Sequence, residues 1–149
     1  MPDEALLPPI DPEAAPFWEA ARRGELWVQQ CTETGRLIFP PRSRSPWAPR
    51  SDPRWVRVSG RGTLWSFAVP HPPLLPPFSL LAPYNVIVVA LEEDPTIRLV
   101  GNLVDDADGP INGPEPGAIE IGARVRVVFQ PVSQEFHLPR WVLDAAGAD

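Results

Sequence analysis

Proline sets the strongest limit on how this chain can fold. It occupies 22 of the 149 positions. Each proline fixes φ near about −65° and removes a backbone donor. Long helices are therefore disfavoured, and short strands joined by stiff loops are favoured. At this length the chain makes one domain, or one small domain with an appended subdomain. Hydrophobic residues make up 44% of it, enough for a core of moderate size. No apolar run approaches the roughly 18 residues of a membrane span. The first ten residues are acidic and proline-broken, without the charged-then-apolar pattern of an export signal. The single cysteine, Cys31, excludes an internal disulfide and is compatible with a reducing compartment. These features predict a cytoplasmic protein without a membrane segment.

The prolines also punctuate the chain. Residues 1–16 read as an extended arm, with Asp11-Pro12 as a helix start. A helix is predicted over 13–23, with Phe17, Trp18, Ala20 and Ala21 on its apolar side and Gly24 as its stop. Strands follow at 26–31 and 37–39, then a proline- and arginine-rich loop to Pro53, then a strand at 55–58. From Gly60 the texture becomes all-β. Strands are predicted at 62–69, 84–91, 97–104, 124–129 and 136–143. The segment 124–129 alternates cleanly, with Val125, Val127 and Phe129 on one face. Between the first two of these strands lies P-H-P-P-L-L-P-P-F-S-L-L-A-P (70–83). Periodicity alone fits either a small barrel or a sandwich.

Charge is unevenly placed. All 13 basic residues are arginines. Between Arg22 and Arg61, nine arginines face three acids, a local +6; the remainder carries four arginines and sixteen acids, or −12. A net −6 disfavours general nucleic-acid binding, whose affinity rests on phosphate neutralisation. A local anionic partner, such as a CoA phosphate or an acidic protein face, remains compatible with the basic segment.

Catalytic constellations are not evident. His71 lies in the proline loop and His137 in the last strand; both read as surface or satisfied histidines rather than general bases. The sequence contains no G-x-S-x-G, H-E-x-x-H, Walker or G-x-G-x-x-G pattern. Gly60-Arg61-Gly62 reads as a bend into the β region. Glu92-Glu93-Asp94 and Asp105-Asp106-Asp108 read as solvated turns, since their spacing is not that of a calcium loop.

One ordered set of short motifs is more informative. Phe17-Trp18, Gly24, Leu26 and Cys31 are followed by G-R-L-I-F-P-P-R at 35–42, then Trp55 and Ser59-Gly60-Arg61-Gly62. Ala82-Pro83-Tyr84, Gly101-Asn102-Leu103, V-R-V-V-F at 125–129 and Leu138-Pro139-Arg140-Trp141 complete it. In this order and spacing, over about residues 16–143, the set resembles a family of bacterial and archaeal acyl-CoA-associated proteins. That family joins a rubredoxin-like zinc ribbon to an OB-fold. The resemblance implies a mostly β chain: a five-stranded OB-fold barrel preceded by an N-terminal helix and the ribbon. The expected parts are an arm and helix (1–24), a ribbon (25–58), an OB-fold domain (59–144) and a tail (145–149).

The resemblance breaks at the metal. Structural zinc is held by four soft ligands, usually from two C-x-x-C knuckles. Here the corresponding positions are Cys31, Thr34, Ser45 and Ala48. A degenerate ribbon without zinc is predicted, with Trp47 as a hydrophobic plug, and no cofactor is expected. The family implies a non-catalytic accessory subunit of a thiolase-like acyl-CoA enzyme, either a lyase or aldolase or an acyltransferase. Lipid, steroid or aromatic degradation is the implied setting. A thiolase-like or hydratase-like partner would supply the chemistry, in a hetero-oligomer with acyl-CoA near the interface. Candidate contact residues for CoA or partner are Phe17, Trp18, Arg42, Arg44, Trp47, Leu74, Leu75, Phe78 and Tyr84. The alternatives are a stand-alone acyl-CoA or small-ligand module and a single-stranded nucleic-acid binder; the acidic barrel segment argues against the latter.

Overall fold

A computed structural model describes residues 7–145. The first six positions of the expected arm and the last four of the expected tail lie outside the described residues. Helix α1 spans Ala15–Arg22, two residues later than the sequence predicts. A turn precedes it: the Asp11 side chain accepts a hydrogen bond from the Ala14 amide at 2.8 Å, and the Asp11 carbonyl accepts from the Ala14 and Ala15 amides at 3.1 Å. Beyond the helix, Gly24 takes φ +77°, a conformation that favours glycine. Phe17, Ala20 and Ala21 face the core.

Three short strands follow: β1 (Leu26–Gln30), β2 (Leu37–Ile38) and β3 (Arg54–Val58). They form an antiparallel sheet in the order β2-β1-β3. The second sheet has five strands: β4 (Arg61–Ala68), β5 (Val86–Leu91), β6 (Arg98–Gly101), β7 (Arg124–Pro131) and β8 (His137–Leu143). Its order is β6-β5-β4-β7-β8, all antiparallel. The sheet curls until its two edges meet. There Leu103 bridges Trp141 in parallel, with Trp141 N donating to Asn102 O at 3.0 Å and Val104 N to Trp141 O at 2.8 Å. This is the partly open five-stranded barrel of an OB-fold.

The bend at Gly60 is sterically enforced. Its φ is +77°, and an added Cβ would lie 2.5 Å from Val127 Cγ1. Strand alternation places Trp65 outward, at a register shift between Leu64 and Ser66, and Arg98 stacks 3.7 Å from its ring centroid. Inside, Leu64, Ile87, Val89, Val125 and Trp141 are buried. Full burial stabilises by about 1.5–3 kcal/mol for an aliphatic side chain of this size. The same core takes in Phe17 from α1 and Leu26, Val28 and Val58 from the three-stranded sheet. One core therefore fastens the ribbon to the barrel.

Three expectations need correction. The 70–83 segment is not wholly irregular: Phe78–Leu81 makes one helical turn, α2. Nor does the strand begin at Tyr84. Asn85 lies buried before β5, and its side chain bonds three backbone groups elsewhere. Strand β6 likewise ends at Gly101, because the chain leaves β5 there to meet β8.

Candidate functional site

The tip of the ribbon brings the four corresponding metal positions together. Cys31 is fully buried in a small cluster with Ile38 and Ala48. Hydrogen bonding from the Ser45 hydroxyl, and then from Thr34, lowers the Cys31 pKa to about 7, against the opposing effect of burial. Backbone groups of Thr34 and Glu33 add to the lowering. This set does not fit zinc. One sulfur, two neutral hydroxyls and a methyl group cannot supply four soft ligands. No group of three or more His, Cys, Asp or Glu residues converges on a metal position among the described residues.

Trp47 does not plug this tip. It is 41% exposed, with the Arg36 guanidinium 4.1 Å from its ring centroid. Ile38 and Ala48 fill the space beside Cys31 instead. Arg42 is exposed, but its backbone is clamped: its amide donates to Gln29 Oε1 at 2.7 Å, and Gln29 Nε2 donates to its carbonyl at 2.9 Å. Arg44 pairs with Asp52 at 2.7 Å. Both partners are well exposed, so the pair adds little stability.

Three other candidates meet at the barrel. Trp18, Phe78 and Tyr84 line a cavity of about 370 Å³ together with Val100, Asn102 and Arg140. Trp18 packs edge-on against Phe136, with ring centroids 5.1 Å apart. Phe78 lies 5.9 Å from Tyr84. Leu74 supports the same cluster from the loop, whereas Leu75 and Leu80 are 72% and 86% exposed. Phe17 is the exception among the apolar candidates: it points into the core at 7% exposure and offers no surface.

Arg140, not among the residues expected from the sequence, also lines this cavity. Its Nη1 donates to Asn102 Oδ1 at 2.7 Å, and its Nε donates to Gln130 Oε1 at 3.2 Å. Asn102 in turn donates to the Asn85 carbonyl. Burial pushes the Arg140 pKa below its ordinary value. The motifs Gly101-Asn102-Leu103 and Leu138-Pro139-Arg140-Trp141 held the signal, but they are 38 residues apart at the Arg140–Asn102 contact. His71 is exposed in its loop, and His137 is half-buried opposite Pro131. Neither lines this cavity.

A three-stranded ribbon fused through a shared core to a five-stranded OB barrel defines the architectural class. Residues 18–44 match the family described as the ChsH2 rubredoxin-like zinc ribbon domain, and residues 55–130 match the ChsH2 C-terminal OB-fold domain. The chain belongs to this ChsH2 zinc-ribbon and OB-fold family. It is 32% identical over 145 residues to the 3-oxo-4,17-pregnadiene-20-carboxyl-CoA hydratase alpha subunit of Mycobacterium tuberculosis, covering 97% of this chain and 40% of that protein. It thus spans about two fifths of that relative's length. It is also 32% identical to a DUF35 domain-containing scaffold protein of Methanothermobacter thermautotrophicus, covering 76% of this chain and 78% of that one. Among solved structures, the Ltp2-ChsH2(DUF35) aldolase contains a chain that is 33% identical. The match covers 92% of this chain and 98% of that chain, with a TM-score of 0.76.

Proposed function

We propose that this chain is a non-catalytic accessory subunit of an acyl-CoA enzyme, docked on a thiolase-like lyase, aldolase or acyltransferase. The observation that carries this reading is the near-complete coverage, 98%, of a chain from a solved aldolase whose name joins two components, Ltp2 and ChsH2. The hydratase alpha subunit among its relatives supports an acyl-CoA setting, with a steroid-derived thioester as the first substrate class to test. The chain's own chemistry is consistent with borrowed catalysis: its two histidines stand apart from the aromatic cavity, and Cys31 is enclosed in the ribbon tip.

The three parts divide the work. The helix part (1–24) contributes Trp18, and the ribbon (25–58) contributes Arg42 and Arg44 as candidates for CoA phosphates. The OB-fold part (59–144) presents Leu75 and Leu80 on a proline-stiffened loop. Apolar side chains on a preordered segment lose little entropy on binding. The partner contributes the reacting groups in the cytoplasm, and this chain shapes the tunnel entrance.

Co-expression with a thiolase-like enzyme encoded beside it tests the reading. Size-exclusion chromatography with light scattering should show one stable hetero-oligomer, and the chain alone should self-associate. A monodisperse, soluble monomer that ignores that enzyme and its hydratase-like neighbours would count against the proposal.

A further inference from the structure

Arg140 stands apart from every other arginine in the molecule. Of the 13 arginines, it is the one that is not exposed. Its two hydrogen-bond acceptors, Asn102 and Gln130, are neutral amides. Among the described residues no carboxylate lies within ion-pair distance of it. The absence of an acidic partner is notable in a body where acids outnumber arginines sixteen to four. A sheltered charge without a counter-charge is costly unless something supplies one.

Its surroundings are those of a ligand cleft. The cavity opens between β5, β6 and β8 and is overhung by the loop between β4 and β5. On OB-folds this is the face that takes ligands. Its volume, about 370 Å³, falls in the range of small-molecule sites. Trp18, Phe78 and Tyr84 supply flat apolar walls. The Tyr84 hydroxyl makes no hydrogen bond among the described residues, and Nη2 of Arg140 is likewise uncommitted. The guanidinium is held in place by Asn102, which is itself anchored to Asn85. Such a guanidinium loses little freedom on binding and presents donors in fixed geometry.

We propose that this cleft binds a small monocarboxylate carried on a flat apolar ring system, with Arg140 meeting the carboxylate and Trp18, Phe78 and Tyr84 sandwiching the ring. A monoanion matches the single cation in the wall; a phosphate dianion would leave charge uncompensated. The site is independent of whether the chain docks on an acyl-CoA enzyme.

Equilibrium dialysis of 2-naphthoate against the full chain, alone and in its complex, tests this, with 2-naphthamide as the neutral control. The acid should bind saturably, and the amide at least about tenfold more weakly, the factor expected for losing one charge-assisted hydrogen-bonded pair. Arg140→Gln should lose the same factor. So should Asn102→Asp, which keeps Arg140 but gives it an internal carboxylate. Should either variant misfold, the comparison of acid with amide on the unaltered chain still decides. Equal binding of acid and amide overturns the proposal, as does retention of affinity in a folded Arg140→Gln chain. No saturable binding of the acid up to about 10 mM overturns it too. Tighter binding of adenosine 3′-monophosphate would reassign the cleft to nucleotides. Loss of naphthoate binding when the partner enzyme is added would reassign it to a partner side chain.

Discussion

The ribbon and the barrel solve the same problem with different means. The barrel closes on itself: its edge strands meet at Trp141, and Asn85 ties Leu103 and Ile111 to the loop that enters β5. The ribbon has three short strands and a tip made of Cys31, Ile38 and Ala48. Its base shares the barrel's core through Leu26, Val28 and Val58, while the tip is a separate cluster. The contrast teaches where a structural metal is dispensable. Zinc binding normally supplies a large share of such a subdomain's folding energy. Here the base is fastened by burial, so only the tip must manage with packing and hydroxyl contacts.

The largest expected effect lies in the barrel. Trp141→Ala should cost about 3–5 kcal/mol, read as a lowered urea midpoint. Because the core is shared, ribbon and barrel should unfold together. A ribbon transition left at its original midpoint would break the comparison. Asn85→Ala comes next, at about 1–3 kcal/mol, since it leaves the Leu103 amide and two carbonyls without their partner. Thermal denaturation checks it.

Effects at the ribbon tip should be smaller. Cys31→Ala leaves a space of roughly methyl size, worth about 1 kcal/mol. A chelator should leave the melting temperature unchanged, in contrast to a zinc-supported ribbon. Combining Thr34→Cys, Ser45→Cys and Ala48→Cys sharpens the point: the four positions already meet, so the variant should take up one zinc per chain, measured by metal analysis. Smallest for stability is Leu75→Asp with Leu80→Asp on the exposed loop, within about 0.5 kcal/mol. The same pair should weaken partner binding by at least about tenfold in a sedimentation assay, because it places charge in an apolar contact.

Much of this was legible in the residues. The alternation at 125–129 gave β7, the glycine at 60 gave the bend, and the proline run gave the stiff loop. In the structure Cys31 lies beside Thr34, Ser45 and Ala48. What escaped was set by contacts distant in sequence. Tyr84-Asn85 extends an apolar strand pattern, yet Asn85 is used for side-chain bonds reaching 18 and 26 residues away. Trp47 lies beside a lost ligand, but its orientation depends on Arg36 across the turn. Arg140 sits in an acidic body where pairing is the natural expectation. Only the folded chain reveals that its neighbours are amides.

The most direct measurement is acyl-CoA thioester turnover by the purified chain, by its partner enzyme and by the two together. A subunit that contributes shape and surface gives no turnover alone, and turnover in the complex survives His71→Ala, His137→Ala and Cys31→Ala in this chain. Turnover by the isolated chain, abolished by one of those three substitutions, would contradict it.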